Sequence, residues 1–212
     1  MTESATDLEL EPAVAAELFG DRIGLARQYT ADLAARGEEL GLIGPLELPR
    51  LWSRHVLNCA LVAPLLKGGR VGDIGSGAGL PGLVLAIARP DTQLVLIEPM
   101  ERRVDWLRSQ AAALSLDNVE VVRARAEEVR LDRPLNQVTA RAVTALKGLI
   151  PLTAPLLLHG GEMLFMKGER VDSEIEAAQK VIRKAHLINV EVLILGEGTV
   201  PEITRVFRAT VD

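Results

Sequence analysis

The segment Val71-Gly72-Asp73-Ile74-Gly75-Ser76-Gly77-Ala78-Gly79-Leu80-Pro81-Gly82 constrains this chain more than any other stretch. Apolar residues running into alternating glycines predict a buried strand, a tight turn and the start of a helix. Glycines at 75, 77 and 79 permit positive φ and let a ligand lie against bare backbone. Pro81 suits the first helical turn, where its missing N–H is not needed. A second strand, Leu94-Val95-Leu96-Ile97, ends on Glu98, 19 positions beyond Gly79. A carboxylate there, at the carboxyl end of a neighbouring parallel strand, can accept hydrogen bonds from both hydroxyls of a ribose. The first expectation is therefore a ribose-bearing cofactor.

Gly77-x-Gly79-x-x-Gly82 formally satisfies the dinucleotide fingerprint, which keeps a nicotinamide or flavin enzyme open. Asp73 argues for S-adenosyl-L-methionine instead. An anion two residues before the first glycine repels a pyrophosphate, whose sites are made of N–H groups and a helix N-terminus. The same anion suits a cationic amino-acid group. Asp73-x-Gly75-x-Gly77-x-Gly79 is the pattern expected of class I methyltransferases, with Ser76 inside the turn.

Alternation after Gly69 predicts strands at 70–74, 94–98, 119–123, 135–140, 162–167, 189–194 and 203–208. Helical windows fall at 81–89, 101–115 and 172–185, with shorter or broken ones near 125–130 and 144–158. Repeated strand–helix–strand units imply an α/β fold with a largely parallel, Rossmann-like sheet covered on both faces. The last two strands follow one another through Gly196-Glu197-Gly198-Thr199, which predicts a hairpin and one antiparallel strand near the sheet edge. Before Gly69 the periodicity is helical. The expected organisation is a disordered tail over 1–12, an N-terminal helical cap over 13–68 and a methyltransferase domain over 69–212.

Composition excludes several alternatives. Of 212 residues 48% are hydrophobic, enough for a sizeable core, but only 3% are aromatic. That weakens any stacking platform for single-stranded nucleic acid. With a net charge of −5, the overall field does not gather RNA, so an RNA substrate requires a local basic face. Cys59 is the only cysteine, which rules out an internal disulfide and a multi-cysteine zinc site; no metal is expected. No apolar run approaches the ~20 residues of a membrane span, and the N-terminus carries no signal-peptide pattern. A cytoplasmic monomer without membrane contact is the expectation.

Charged residues at strand ends are the next candidates. Arg141 interrupts an apolar run at the end of the fourth strand, and Lys167 ends the fifth; both open on the cofactor crevice. Either could serve structure instead, Arg141 by pairing with an acid and Lys167 by leaving the sheet for solvent. Arg125-Ala126-Glu127-Glu128 follows the third strand, beside the expected adenine site.

Together these pieces resemble one family, the ribosomal RNA small subunit methyltransferase G family, also called glucose-inhibited division protein B. The matching elements are Leu51-Trp52-x-Arg54-His55-x-Leu57-Asn58, the Asp73–Gly82 motif, Arg102-Arg103-x-x-x-Leu107, Arg125-Ala126-Glu127, Ala140-Arg141-Ala142-Val143, Met166-Lys167-Gly168 and Thr204-Arg205-Val206. The resemblance implies N7-methylation of a guanine in 16S rRNA, within small-subunit particles. It also implies that Gly75, Leu80, Ala126, Glu127 and Arg141 contact the cofactor. Arg141 and Lys167, with Arg102 or Arg123 as weaker candidates, would border the target guanine; Arg54, His55, Arg102, Arg103, Lys167 and Arg205 would face RNA. Asn58 stands where the family often has Asp, and Arg102 where Lys is frequent.

Guanine N7 carries a lone pair and no proton, so methyl transfer there needs alignment but no general base. Acids are interleaved among the arginines between 102 and 141, so the arginines nearest the crevice are expected to form only a limited basic rim. Two other readings use the same residues: a small-molecule or dinucleotide enzyme, and a non-catalytic binding module.

Overall fold

A computed structural model describes residues 8–212. The chain opens with α1 (Val14–Phe19) and α2 (Ile23–Arg36), joined by a single 3-10 turn. A π-helical segment, Leu51–Leu57, then continues into α3 (Asn58–Ala60). The sheet is built from β1 (Gly69–Ile74), β2 (Thr92–Ile97), β3 (Val119–Val122), β4 (Leu135–Arg141), β5 (Leu157–Lys167), β6 (Leu187–Leu195) and β7 (Thr204–Val211). Between strands lie α4 (Gly82–Ala88), α5 (Glu101–Ala113), α6 (Leu146–Thr153) and α7 (Val171–Lys184).

Strand order is β3-β2-β1-β4-β5-β7-β6. The order reverses between β2-β1 and β4, so the carboxyl ends of β1 and β4 flank the crevice where ligands bind in doubly wound sheets. Pairs from β3 to β5 are parallel, whereas β7 runs antiparallel to both β5 and β6. The hairpin expected at the chain's end is present, with β7 inserted and β6 left at the edge.

Alternation along the central strands sends side chains to two cores. Leu94, Leu96, Leu164 and Met166 join the helices before β1 together with α4 and α5. Val95, Ile97, Met163 and Phe165 face α6 and α7. The period-2 geometry of a strand makes this split unavoidable, because neighbouring residues point to opposite faces. Phe165 stacks on Phe207 of β7 with ring centroids 5.9 Å apart.

Two expectations change. The window at 125–130 forms only a turn, since so short a stretch has too little apolar periodicity for a nucleated helix. The broken window near 144–158 is α6 followed by one 3-10 turn, as expected. Of the tail expected over 1–12, residues 1–7 lie outside the described residues. Residues 9–11 are tied down: the Glu9 N–H donates to the Leu48 carbonyl at 2.9 Å, the Glu9 carboxylate accepts from the Ser53 N–H, and Glu11 pairs with Arg27 at 2.6 Å.

The helices within 13–68 share a core with the sheet. Ala26, Tyr29, Leu33, Leu51, Val56 and Leu57 are fully buried in the same core as Leu83, Leu85 and Leu94. Leu33→Ala should therefore cost about 2–5 kcal/mol. Denaturant unfolding should remain one transition by tryptophan fluorescence and far-UV circular dichroism. Two resolved transitions would show that the N-terminal helices fold separately.

Candidate active site

The turn after β1 is held at three of its atoms. Gly75, Gly77 and Gly79 have φ of +69°, +55° and +99°, a region that side-chain-bearing residues enter only at a cost. The N–H groups of Gly75 and Ser76 donate to the Ile97 carbonyl at 2.9 and 3.2 Å. The Ala78 carbonyl accepts the Tyr29 hydroxyl at 3.0 Å and the Trp106 indole N–H at 2.8 Å. Thus α2 and α5 clamp the turn at one oxygen. Sequence reasoning missed both donors; the only hint was that Tyr29 is the sole tyrosine in an aromatic-poor chain.

Asp73 is fully buried at the end of β1. Its Oδ2 accepts the Gly82 N–H at 3.0 Å. Gly82 is the first residue of α4, one position later than expected, and Pro81 takes the N-cap place. One otherwise unpaired helix N–H is thereby satisfied from the sheet. Ser76 donates its hydroxyl to the Asp73 backbone carbonyl at 2.9 Å. The other carboxylate oxygen, Oδ1, has no hydrogen-bond partner among the described residues. Burial pushes the carboxyl pKa up to about 7, with the Glu98 charge adding to the rise and the Gly82 hydrogen bond opposing it.

A half-satisfied buried carboxylate is costly, and a cation seated at Oδ1 would relieve that cost. The backbone around it has no room for side chains. A Cβ on Gly82 would lie 2.6 Å from Asp73 Oδ2, and one on Gly75 would lie 2.9 Å from Val143 Cγ2. This donor set fits the ammonium end of S-adenosylmethionine.

Glu98 is buried at the end of β2, but its oxygens are already engaged. Oε2 accepts the Gly77 N–H at 3.0 Å and Oε1 accepts the Met100 N–H at 2.9 Å. It ties the glycine turn to the start of α5. Each carboxylate oxygen keeps further acceptor capacity for a ribose hydroxyl. Leu80 packs against the first core, Ala126 against the second, and Glu127 is exposed on the turn after β3.

At the end of β4, Arg141 reaches back into the N-terminal segment. It donates to His55 Nδ1, and its second nitrogen approaches Cys59 Sγ at 3.5 Å. His55 Nε2 contacts Glu47 Oε2 at 2.6 Å. No carboxylate pairs with Arg141 among the described residues, so the structural ion pair weighed from the sequence is not formed. Burial lowers the His55 pKa to about 4, helped by the Arg141 charge and opposed by Glu47. Burial raises the Cys59 thiol to about 11, which leaves it an inert core group.

Arg141, Lys167, Arg54 and Arg205 all line one open cleft of about 940 Å³ at the carboxyl ends of β4 and β5. Asn58, Val143, Met166 and the acids Glu169, Glu174 and Glu202 complete its wall. Lys167 does not leave the sheet for solvent. Its ammonium donates to the Thr144 carbonyl at 3.0 Å and pairs with Glu174 at 2.6 Å. Glu174 also caps the Leu146 N–H that opens α6, at 2.9 Å.

Four base- or RNA-facing sequence candidates do not line this cleft: His55, Arg102, Arg103 and Arg123. Arg123 is half-exposed and pairs with Glu101 at 3.0 Å; it is not among the residues that line the cleft. Arg102 lines a separate cavity with Arg36 and Trp106, and Arg103 is half-buried near it on α5. Of the arginines between 102 and 141, only Arg141 reaches the cleft. The basic rim therefore comes from Arg54, Arg141, Lys167 and Arg205, because the helix that carries Arg102 and Arg103 follows β2 and lies on the far side of the glycine turn.

The model of one family, described as rRNA small subunit methyltransferase G, matches residues 22–203. The chain belongs to this family. It is 64% identical over 211 residues to the ribosomal RNA small subunit methyltransferase G of Leifsonia xyli subsp. xyli, covering 100% of both chains. It is 67% identical over 204 residues to the protein of the same name from Clavibacter michiganensis subsp. michiganensis, covering 96% of this chain and 97% of that one. Among solved structures, M. jannaschii TYW2 in complex with AdoMet superposes with a TM-score of 0.59 at 20% identity, over 75% of this chain and 76% of that one. That likeness concerns the fold, a class I methyltransferase sheet. Family membership does not favour the dinucleotide-enzyme and binding-module readings.

The Asp73 shift gives a pH signature. Without donor, the folded carboxyl keeps its proton up to about pH 7, while the unfolded chain releases it near the ordinary 3.8. The unfolded state binds fewer protons in that window, so this group's contribution to stability falls as pH rises through it. Asp73→Asn should flatten that part of the Tm-against-pH curve. A cationic ligand pairs with the ionised form. Calorimetry should show S-adenosylhomocysteine affinity rising as pH climbs through 7 in the wild type, but weak and flat in Asp73→Asn. A flat wild-type profile would contradict this account.

Proposed function

We propose that this methyltransferase transfers the methyl group of S-adenosylmethionine to N7 of a guanine in 16S rRNA, acting on small-subunit particles in the cytoplasm as a monomer. The observation that carries the reading is a pair of incomplete charges at the topological switch point. Asp73 has one buried carboxylate oxygen, at the end of β1, without a partner among the described residues. Arg141 has only neutral partners at the end of β4, and the two strands are direct neighbours.

When bound, S-adenosylmethionine supplies a cationic methyl that the N7 lone pair can accept with no proton to remove. Asp73 would hold the ammonium, Arg141 the donor's carboxylate edge and the near side of the target base. Glu98 would take the ribose while keeping Gly77 and Met100 in place. Lys167, restrained by Glu174 and Thr144, would present positive potential to the electron-rich N7/O6 edge. Methylation leaves a cationic purine, so the cleft must balance cations against acids, and its wall holds both. Val143, 41% exposed and packed over Gly75, would separate donor from bulk water.

The mixed charge of the cleft favours a shaped, protein-bearing substrate over free RNA, because few phosphates can be neutralised there. Among the described residues, no helix is long and apolar enough to cross a membrane, and no cluster of three or more His, Cys, Asp or Glu is placed to hold a metal.

Lys167→Ala should leave S-adenosylhomocysteine affinity unchanged and lower kcat about 10²-fold, the usual cost of losing one well-placed electrostatic group. Radiolabel transfer to small-subunit particles from a strain lacking the gene measures this, and nuclease mapping locates N7-methylguanine. Label on another base, or faster transfer to naked 16S RNA than to particles, would overturn the assignment.

A further inference from the structure

His55 lies outside the residues lining the cleft, yet it is the atom-to-atom link between Arg141 and the segment before the π-helix. Its two ring nitrogens face opposite demands. Guanidinium can only donate, so Nδ1 must offer its lone pair to Arg141; a carboxylate can only accept, so Nε2 must carry the proton towards Glu47. These contacts together select one neutral tautomer. The carboxylate is fixed in turn, because Glu47 accepts from the Arg50 guanidinium at 3.0 and 3.2 Å. The charged and titratable groups facing the ring are Glu47, Arg54, Arg141 and the Cys59 thiol.

We propose that His55, held in its Nε2–H form by Glu47, is a positioning residue that aims the Arg141 guanidinium into the methyl-transfer cleft. This rests on the reading of Arg141 as a donor- and base-facing group. The alternative partner for a buried arginine is a carboxylate. An anion there would neutralise the guanidinium and anchor it to the protein, whereas a neutral imidazole orients it and leaves its charge for ligand. The proton on Nε2 is directed by Glu47, so Glu47 acts on the cleft through two intervening side chains. Protonated His55 would turn an N–H towards the guanidinium and break the arrangement. At neutral pH that form is suppressed by burial and by the neighbouring cation.

The test uses the full chain, S-adenosylmethionine and unmethylated small-subunit particles. His55→Phe keeps the ring's bulk but removes both hydrogen bonds, and should lower kcat by about tenfold to hundredfold, the range expected for misplacing a reacting group by about an ångström. His55→Asn can still offer an oxygen near the Nδ1 position and should recover most of that loss. In an Arg141→Met background, His55→Phe should have no further effect. Equal loss in His55→Phe and His55→Asn, or full additivity with Arg141→Met, would overturn the positioning role. If Arg141→Met itself retains full transfer, it is the reading of Arg141 that fails. Nitrogen-15 spectra of the wild-type protein provide a readout independent of folding in the variants. A neutral Nε2–H imidazole that shifts towards a mixture of tautomers in Glu47→Ala is expected; an Nδ1–H form in the wild type would overturn the proposal.

Discussion

A single buried carboxylate organises the centre of this protein. Asp73 ends β1, satisfies the first N–H of α4 with one oxygen and leaves the other without a partner among the described residues. Its burial makes the unliganded ion costly, which favours a cationic guest over a phosphate. The tight fit of Gly82 follows from the same contact, since any side chain there would strike the carboxylate. Strand, turn and helix thus converge on one acidic residue, Asp73.

The second charge, Arg141, is balanced differently. Its partners are a neutral histidine and a thiol, so its charge remains available. Both partners come from the N-terminal segment, as does Tyr29, which clamps the glycine turn through Ala78. The helices before β1 therefore supply the groups that hold Arg141 and the glycine turn in place. They also share a core with α4 and α5, which explains how side chains more than eighty positions from Arg141 can meet it at hydrogen-bond distance.

Most of the sheet was readable in advance. All seven strands, the antiparallel return and the switch point follow from alternation, glycine punctuation and helix spacing, which are local signals. The glycine motif marked Asp73, Gly75, Ser76, Gly77 and Gly79 for the same reason: adjacent residues on one turn remain adjacent in space. Arg141 and Lys167 were readable as charges closing apolar runs. The short window after β3 misled because two acids and an arginine resemble a helix start, yet too few residues follow to sustain one.

By itself, then, the sequence determined the sheet, the carboxyl group at the end of its first strand and the family to which the chain belongs. Only the tertiary structure decided that Lys167 is held by Glu174, that Arg123 pairs away from the cleft and that Glu47, His55 and Arg141 form one chain of hydrogen bonds. The physical reason is separation. Period and turn chemistry act over a few residues, but Glu47 and Arg141 meet only after two cores have packed the N-terminal helices against the sheet. No local pattern encodes which of many distant polar side chains the packed cores will bring together.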